Sequence, residues 1–206
     1  MEYNAIKTES VYEEIEKRSK FISYSLIINN VAEAQEKLQK IKNIHHNAKH
    51  HVYAYVIEEG LNEKCSDDGE PSGTGGIPII NAIKSFNLRN VMVVIVRYFG
   101  GILLGTGGLR RMYSSGAINV LNKSEFVKMS LCKEFYLECS YSEYGQISNI
   151  ISDFDGKIRK LDYNNKVNLT FFIKDEFKDS IAKKIKNIMR GDCNLKIISE
   201  SYQKLD

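Results

Sequence analysis

The chain is poor in proline. Only Pro71 and Pro78 occur among its 206 residues, and with 14 glycines this excludes the collagen-like and low-complexity classes. Long apolar runs are also missing. The longest, residues 91–96, falls far short of the ~20 residues that a membrane-spanning helix needs. The opening MEYNAIKTES lacks the basic-then-apolar pattern of an export signal, so a cytoplasmic protein with no membrane partner is expected. Cysteine is sparse: Cys65, Cys132, Cys139 and Cys193 show no CxxC spacing and read as reduced thiols rather than a zinc site. Neither sign of charge dominates, with 29 Lys+Arg against 26 Asp+Glu and a net charge of +3. That lacks the strong basicity of a dedicated nucleic-acid binder, so any binding patch must come from local clustering. The hydrophobic share of 43% is that of an ordinary folded protein, and the length suits one large domain or two small ones.

What is present is unevenly spread. Nine of the glycines fall between Gly69 and Gly108. Beyond that region the pattern is regular. Residues 131–141 read as a strand, and 143–154 as a helix with Tyr144, Ile147, Ile150 and Ile151 at helical spacing. Asn164-Asn165 is a turn that makes a hairpin of strands 157–163 and 166–173. Residues 175–189 read as a helix, with Asp175 as N-cap or first-turn acid and Gly191 as its stop; 193–202 read as a closing strand. The order β-α-β-β-α-β is the ferredoxin-like arrangement. In the first half, strands are expected within 5–28 (11–16 being ambiguous), 52–57 and 90–98. Helices are expected at 31–44 behind Asn30, at 77–86 with Pro78 in the first turn, and at 109–122. The fold class is therefore α+β in two domains, 1–128 and 129–206.

Two Gly-rich segments could carry chemistry. The first is SDDGEPSGTGG, residues 66–76. Asp67, Asp68 and Glu70 put three carboxylates in four residues, Ser72 and Thr74 add hydroxyls, and Gly73 belongs to a set of four glycines. Such a loop opening a helix can bind an anion, hold a divalent cation, or simply make a tight turn with a capped helix start. The second is RYFGGILLGTGGLRRMY, residues 97–113. Here a strand delivers Arg97 and Tyr98 to a loop containing Gly100 and Gly101. A helix is expected to start near Gly107 and Gly108, placing Arg110 and Arg111 in its first turn. Cations there oppose the helix dipole unless an anion is bound. The segment lacks the phosphate-gripping Lys of a P-loop and the GxGxxG of dinucleotide sites, so ordinary nucleotide hydrolysis is not expected. No cofactor is expected either. All four histidines lie in HHNAKHH. His46 and His50 have i, i+4 spacing but no HExxH glutamate, so a solvated helix end is expected rather than a metal site. Tyr53 and Tyr55 are candidates for stacking single-stranded bases or for core packing.

The two segments, in this order with twenty residues between them, strongly resemble the signature of the YigZ/Impact family across residues 1–125. The second half looks like the additional C-terminal domain of the bacterial YigZ branch. The chain departs from the family pattern at Gly75 and Met112, where the pattern has alanine. The first change is expected to matter little and the second to add bulk beside a pocket. The resemblance implies an N-terminal domain like the second domain of ribosomal protein S-five. It also implies a C-terminal domain like those near the end of elongation factor G. The eukaryotic relatives regulate translation through a ribosome-associated activator of a stress kinase, and they carry an extra recognition domain.

Three functions follow. One is a translation-associated protein contacting RNA, the ribosome or a ribosome-bound partner, with no DNA specificity. Another is an enzyme acting on a phosphorylated or acidic small molecule, its carboxylates holding Mg²⁺ or acting as acid and base. The third is a protein-interaction module in which both motifs are structural. The oligomeric state cannot be read from the sequence.

Overall fold

A computed structural model describes residues 2–58, 62–189 and 193–205; Gly191, the expected helix stop, lies outside them. The chain divides into two compact units, one spanning Tyr3–Val127 and the other running from Lys128 onward together with Glu2. Among the described residues no helix is long and apolar enough to cross a membrane.

The first half contains β1 (Glu2–Ile6), β2 (Ser10–Glu16), β3 (Ser19–Ile27), α1 (Val31–Ile44), β4 (His50–Ile57), β5 (Asn62–Ser66), α2 (Gly76–Ser85), β6 (Val91–Tyr98) and α3 (Gly105–Asn122). Five strands form an antiparallel sheet in the order β2-β3-β6-β4-β5. The central strand β6 explains the run at 91–96: both of its faces are covered, so both sets of alternating side chains must be apolar. Val91, Val93 and Ile95 pack with α2 and α3, alongside Ile79, Ile83, Leu109, Ala117 and Leu121. Met92, Val94 and Val96 pack on the other face with Ala34 and Ile41 of α1. Asn30 caps α1 by accepting the Glu33 N–H at 2.9 Å.

The ambiguous 11–16 segment is the edge strand β2, with Val11 and Ile15 exposed, which is why its alternation is weak. Strand β5 was not anticipated at 62–64; its Asn, Glu and Lys have little β propensity, and pairing with β4 imposes the conformation. Tyr55 is buried under α1, and the half-buried Tyr53 stacks on it at 6.5 Å, so the pair serves packing rather than base stacking.

The second unit contains β7 (Phe126–Cys139), α4 (Tyr141–Asp153), β8 (Lys157–Tyr163), β9 (Val167–Lys174), a 3-10 turn at Asp175–Phe177, α5 (Lys178–Met189) and β10 (Lys196–Gln203). Strand β7 pairs antiparallel with β10 on one side and β9 on the other, and β8 pairs with β9. This is the ferredoxin-like arrangement expected from the order of elements. Phe135, Leu137, Leu169 and Phe171 of the sheet pack against Ile147, Ile151, Ile181 and Ile185 of α4 and α5. Helix α4 starts earlier than expected because Ser140 and Glu143 form a reciprocal capping box. Asp175 opens the 3-10 turn rather than α5 itself.

Helix α3 packs tightly against the sheet at Gly116. A Cβ there would lie 2.6 Å from the buried Ser23 Oγ and 3.2 Å from Ile95 Cδ1. Gly116→Ala is therefore expected to destabilise the protein. Overpacking costs about 1–3 kcal/mol, which exceeds or equals the gain of about 1 kcal/mol in helix propensity. A urea melt with an unchanged or raised midpoint would contradict this.

Candidate functional site

Strand parity builds the site. Phe21 of β3, Arg97 of β6 and His50 of β4 are cross-strand partners in one row, on the face turned toward α2 and α3. Tyr98, one residue on, faces the opposite way. Its hydroxyl meets His45 Nδ1 at 2.8 Å, and Tyr24 meets His45 Nε2 at 2.6 Å, beneath α1. Arg97 and Tyr98 therefore do not share a site.

The loop following β5 brings Glu70 over the row. Glu70 Oε1 accepts from Arg97 Nη1 at 2.7 Å and from the Tyr113 hydroxyl of α3 at 2.8 Å. The Glu70 and Arg97 side chains are only 3% and 6% exposed. Burial first, then the Glu70 charge and hydrogen bond, push the Tyr113 hydroxyl far above its ordinary pKa. The Arg97 guanidinium lies between the rings of Phe21 and Phe99, at 5.4 and 5.5 Å. Its Nη2 reaches Ser19 Oγ at 3.4 Å, but its buried Nε–H has no acceptor. An unmet buried donor costs about 1–3 kcal/mol. His50 donates Nδ1–H to the Asp68 carbonyl at 2.9 Å, and its Nε2 lies 4.0 Å from Glu70 Oε1.

The other two carboxylates are committed to the fold. Asp67 accepts N–H bonds from Gly73, Gly75 and Gly76 at 2.8–2.9 Å, tying the loop to the start of α2. Burial pushes the Asp67 carboxyl up. The bonds from Gly73, Gly76 and Gly75 outweigh it and hold the group below the usual aspartate value. Asp68, at φ +42°, accepts from the His51 N–H at 2.7 Å and pairs with Lys42 at 3.2 Å. Thr74 closes a turn by donating to the Pro71 carbonyl at 2.6 Å, while Ser72 is exposed. With all three acids engaged, the arrangement gives no support to carboxylates that hold Mg²⁺ or act as acid and base. Among the described residues no cluster of three His, Cys, Asp or Glu is placed to hold a metal.

The second motif divides into architecture and surface. A Cβ on Gly100 would lie 2.0 Å from the Arg18 carbonyl carbon, so this glycine permits a backbone contact. Helix α3 starts at Gly105, earlier than expected, because Gly107 and Gly108 are themselves helical. Arg110 and Arg111 thus lie beyond the first turn, where the dipole is weak. Both are exposed; Arg111 pairs with Glu16 at 3.0 Å. The first turn has neither a side-chain cap nor an acid. Around it Phe99, Ile102 and Leu103 are exposed by 45%, 41% and 82%. A pocket of about 350 Å³ opens here, lined by His50, Glu70, Arg97, Phe99, Leu103 and Thr106 among others. Met112 is buried in the core and does not line this pocket. An alanine at Gly75 would bring its Cβ within 2.6 Å of Val52 Cγ1, so that departure matters more than expected. His50 and Tyr113 were missed as site residues. The signal for His50 was its place two residues before Val52 in a strand, where alternation puts it on the α2/α3 face.

Two domain families match the chain: the Impact N-terminal domain over residues 17–121 and a domain of unknown function, DUF1949, over 137–192. The IMPACT family member YvyE of Bacillus subtilis is 32% identical over 195 residues, covering 94% of this chain and 90% of that protein. The chain belongs to the IMPACT family. The Escherichia coli member YigZ is also 32% identical, covering 93% of this chain and 95% of its own. Protein IMPACT of mouse is 35% identical over only 83 residues, 38% of this chain and 25% of that protein. A crystal structure described as that of a hypothetical protein superposes with a TM-score of 0.64 at 29% identity, covering 97% of this chain and 98% of the other. This IMPACT protein thus matches its bacterial relatives across both domains.

Two predictions follow from the motif geometry. Asp67→Asn should cost about 1.5–3 kcal/mol at neutral pH, the worth of hydrogen bonds to a charged group. Because the folded carboxyl titrates below its unfolded value, that contribution is present above the unfolded pKa and is lost as pH falls through the folded one. The stability gap between wild type and variant should therefore narrow in acid; urea melts from pH 7 to pH 3 measure it. Gly100→Ala should lose stability heavily or fail to fold. Gly107→Ala, whose Cβ would meet nothing within 4 Å, should gain up to about 1 kcal/mol.

Proposed function

We propose that this protein is a translation-associated binding protein whose N-terminal unit contacts RNA, directly or on the ribosome. The observation that carries the reading is the opening of α3. Its Gly-Thr-Gly-Gly turn is uncapped and free of acids, Arg110 and Arg111 stand one turn further on, and Phe99, Ile102 and Leu103 are exposed beside it. Free N–H groups and arginines suit phosphates without reading sequence, and exposed aromatic and aliphatic surface suits unstacked bases. Membership of the IMPACT family agrees with a translational role, which also implies a cytoplasmic location. A ribosome-associated protein would be the partner if RNA is not.

The test is fluorescence anisotropy with a single-stranded RNA across a salt series, using wild type and Arg110→Ala/Arg111→Ala. Binding should weaken with salt, and the double variant should bind more weakly, with a salt slope reduced by roughly 1–2. No binding at low salt would shift the contact to a protein, to be sought by pull-down with purified ribosomes.

A further inference from the structure

Unpaired cations from three elements surround the pocket beside α3. Two of them stand in the two-residue turn between β2 and β3, across which Glu16 pairs with Ser19. Lys17 and Arg18 hold φ of +44° and +63° there, left-handed values that Asn or Gly reach at lower cost. The turn lies against the loop after β6. Gly100 donates its N–H to Ser19 Oγ at 3.2 Å and packs on the Arg18 carbonyl. Phe99, the residue before it, lines the pocket. Lys49, just ahead of β4, lines it as well. Arg110 stands one turn beyond Thr106, another lining residue, on the same side of α3. All four cations are exposed, and none forms an ion pair among the described residues.

The acids of this region are already engaged. Glu70, which lines the pocket, is met by Arg97 and Tyr113. Glu16, at the foot of the turn, is met by Arg111. The rim is therefore positive.

The pocket inside that rim is apolar. Its volume of about 350 Å³ falls in the range of sites that enclose a small organic group. Phe99 and Leu103 line it and are 45% and 82% exposed. The Phe99 ring is backed by the Arg97 guanidinium at 5.5 Å, and Arg97 is itself held by Glu70. An aromatic ring left open on a pocket wall stacks a flat group.

An apolar seat ringed by separate cations suits a flat, uncharged group that carries an anion on each side. A base within a nucleic-acid strand is such a group, flanked by two phosphates. A base in a duplex is not, because pairing and stacking keep it from entering. We propose that this pocket seats one unpaired base of an RNA strand against Phe99 and Leu103, with the flanking backbone on Lys17, Arg18, Lys49 and Arg110, so that the protein selects single strands over duplex. The inference rests on the RNA reading above and adds to it the base seat and the strand selectivity.

The full-length protein is titrated by fluorescence anisotropy with four labelled probes: a short RNA strand, its duplex with the complement, an abasic strand of the same length, and a peptide of alternating Glu and Phe. The single strand should bind at least tenfold more tightly than the duplex or the abasic strand, although the abasic strand carries the same phosphates. Phe99→Leu keeps apolar bulk and removes the ring. It should weaken single-strand binding by about fivefold or more, with an unchanged salt slope and unchanged binding of the abasic strand. Leu103→Ala, at a side chain too exposed to matter to folding, should weaken single-strand binding a few-fold. Lys17→Ala/Lys49→Ala should weaken single and abasic strands alike, with a salt slope reduced by about 1–2. Urea melts check that each variant is folded. Equal binding of single, abasic and duplex RNA would overturn the base seat and leave the RNA reading standing. Full-strength binding by a folded Phe99→Leu variant or by Leu103→Ala would do the same. No binding of any RNA at low salt would overturn both. Tighter binding of the peptide than of any RNA would overturn both in favour of a protein partner.

Discussion

The buried pair of Glu70 and Arg97 ties the N-terminal unit together. Two charges withdrawn from water are tolerable when they are paired, and removing one partner from such a pair typically costs about 3–5 kcal/mol. Here one carboxylate oxygen takes a guanidinium and a tyrosine hydroxyl from two different elements. The pair joins the loop after β5, the end of the central strand and the third turn of α3. The two Gly-rich motifs, separated by twenty residues, are therefore one structural unit. The first motif supplies the acid, and the second begins with its arginine and ends with its tyrosine.

That unit accounts for most of the polar residues that look functional in sequence. Asp67 holds the loop after β5 by three amide bonds, Asp68 holds it to β4, Thr74 turns it, and Gly100 lets the loop after β6 pass against Arg18. What remains exposed is different in kind. The start of α3, Arg110, Arg111 and the apolar side chains of 99–103 contribute little to holding the fold together. Leu103 stands 82% exposed next to an uncapped helix end, so apolar side chains are left open to solvent here. The same region has a floor of buried, paired charge in Glu70 and Arg97.

Much of the fold was legible along the chain. The run at 91–96 announced a strand, the β-α-β-β-α-β order announced the second unit, and Asn30 announced its helix. Local signals sufficed there because periodicity and capping act over a few residues. They failed where a neighbour decided. Asn62–Ser66 is a strand only because β4 offers it hydrogen bonds, and α3 begins within its glycines, ahead of where their low helix propensity would start it.

Periodicity and composition alone gave the α+β class, the strand at 90–98 and the two motifs as the unusual part of the molecule, because each is written in a short stretch of chain. Only the tertiary structure decided which motif residues meet. Arg97 and Tyr98 are neighbours in the chain, yet alternation sends one to Glu70 and the other to His45 on the opposite face. His50, read as the end of a helix, stands beside Arg97 because two antiparallel strands set it there. Ion pairing and cross-strand register act between residues distant in sequence, and no window along the chain contains both partners.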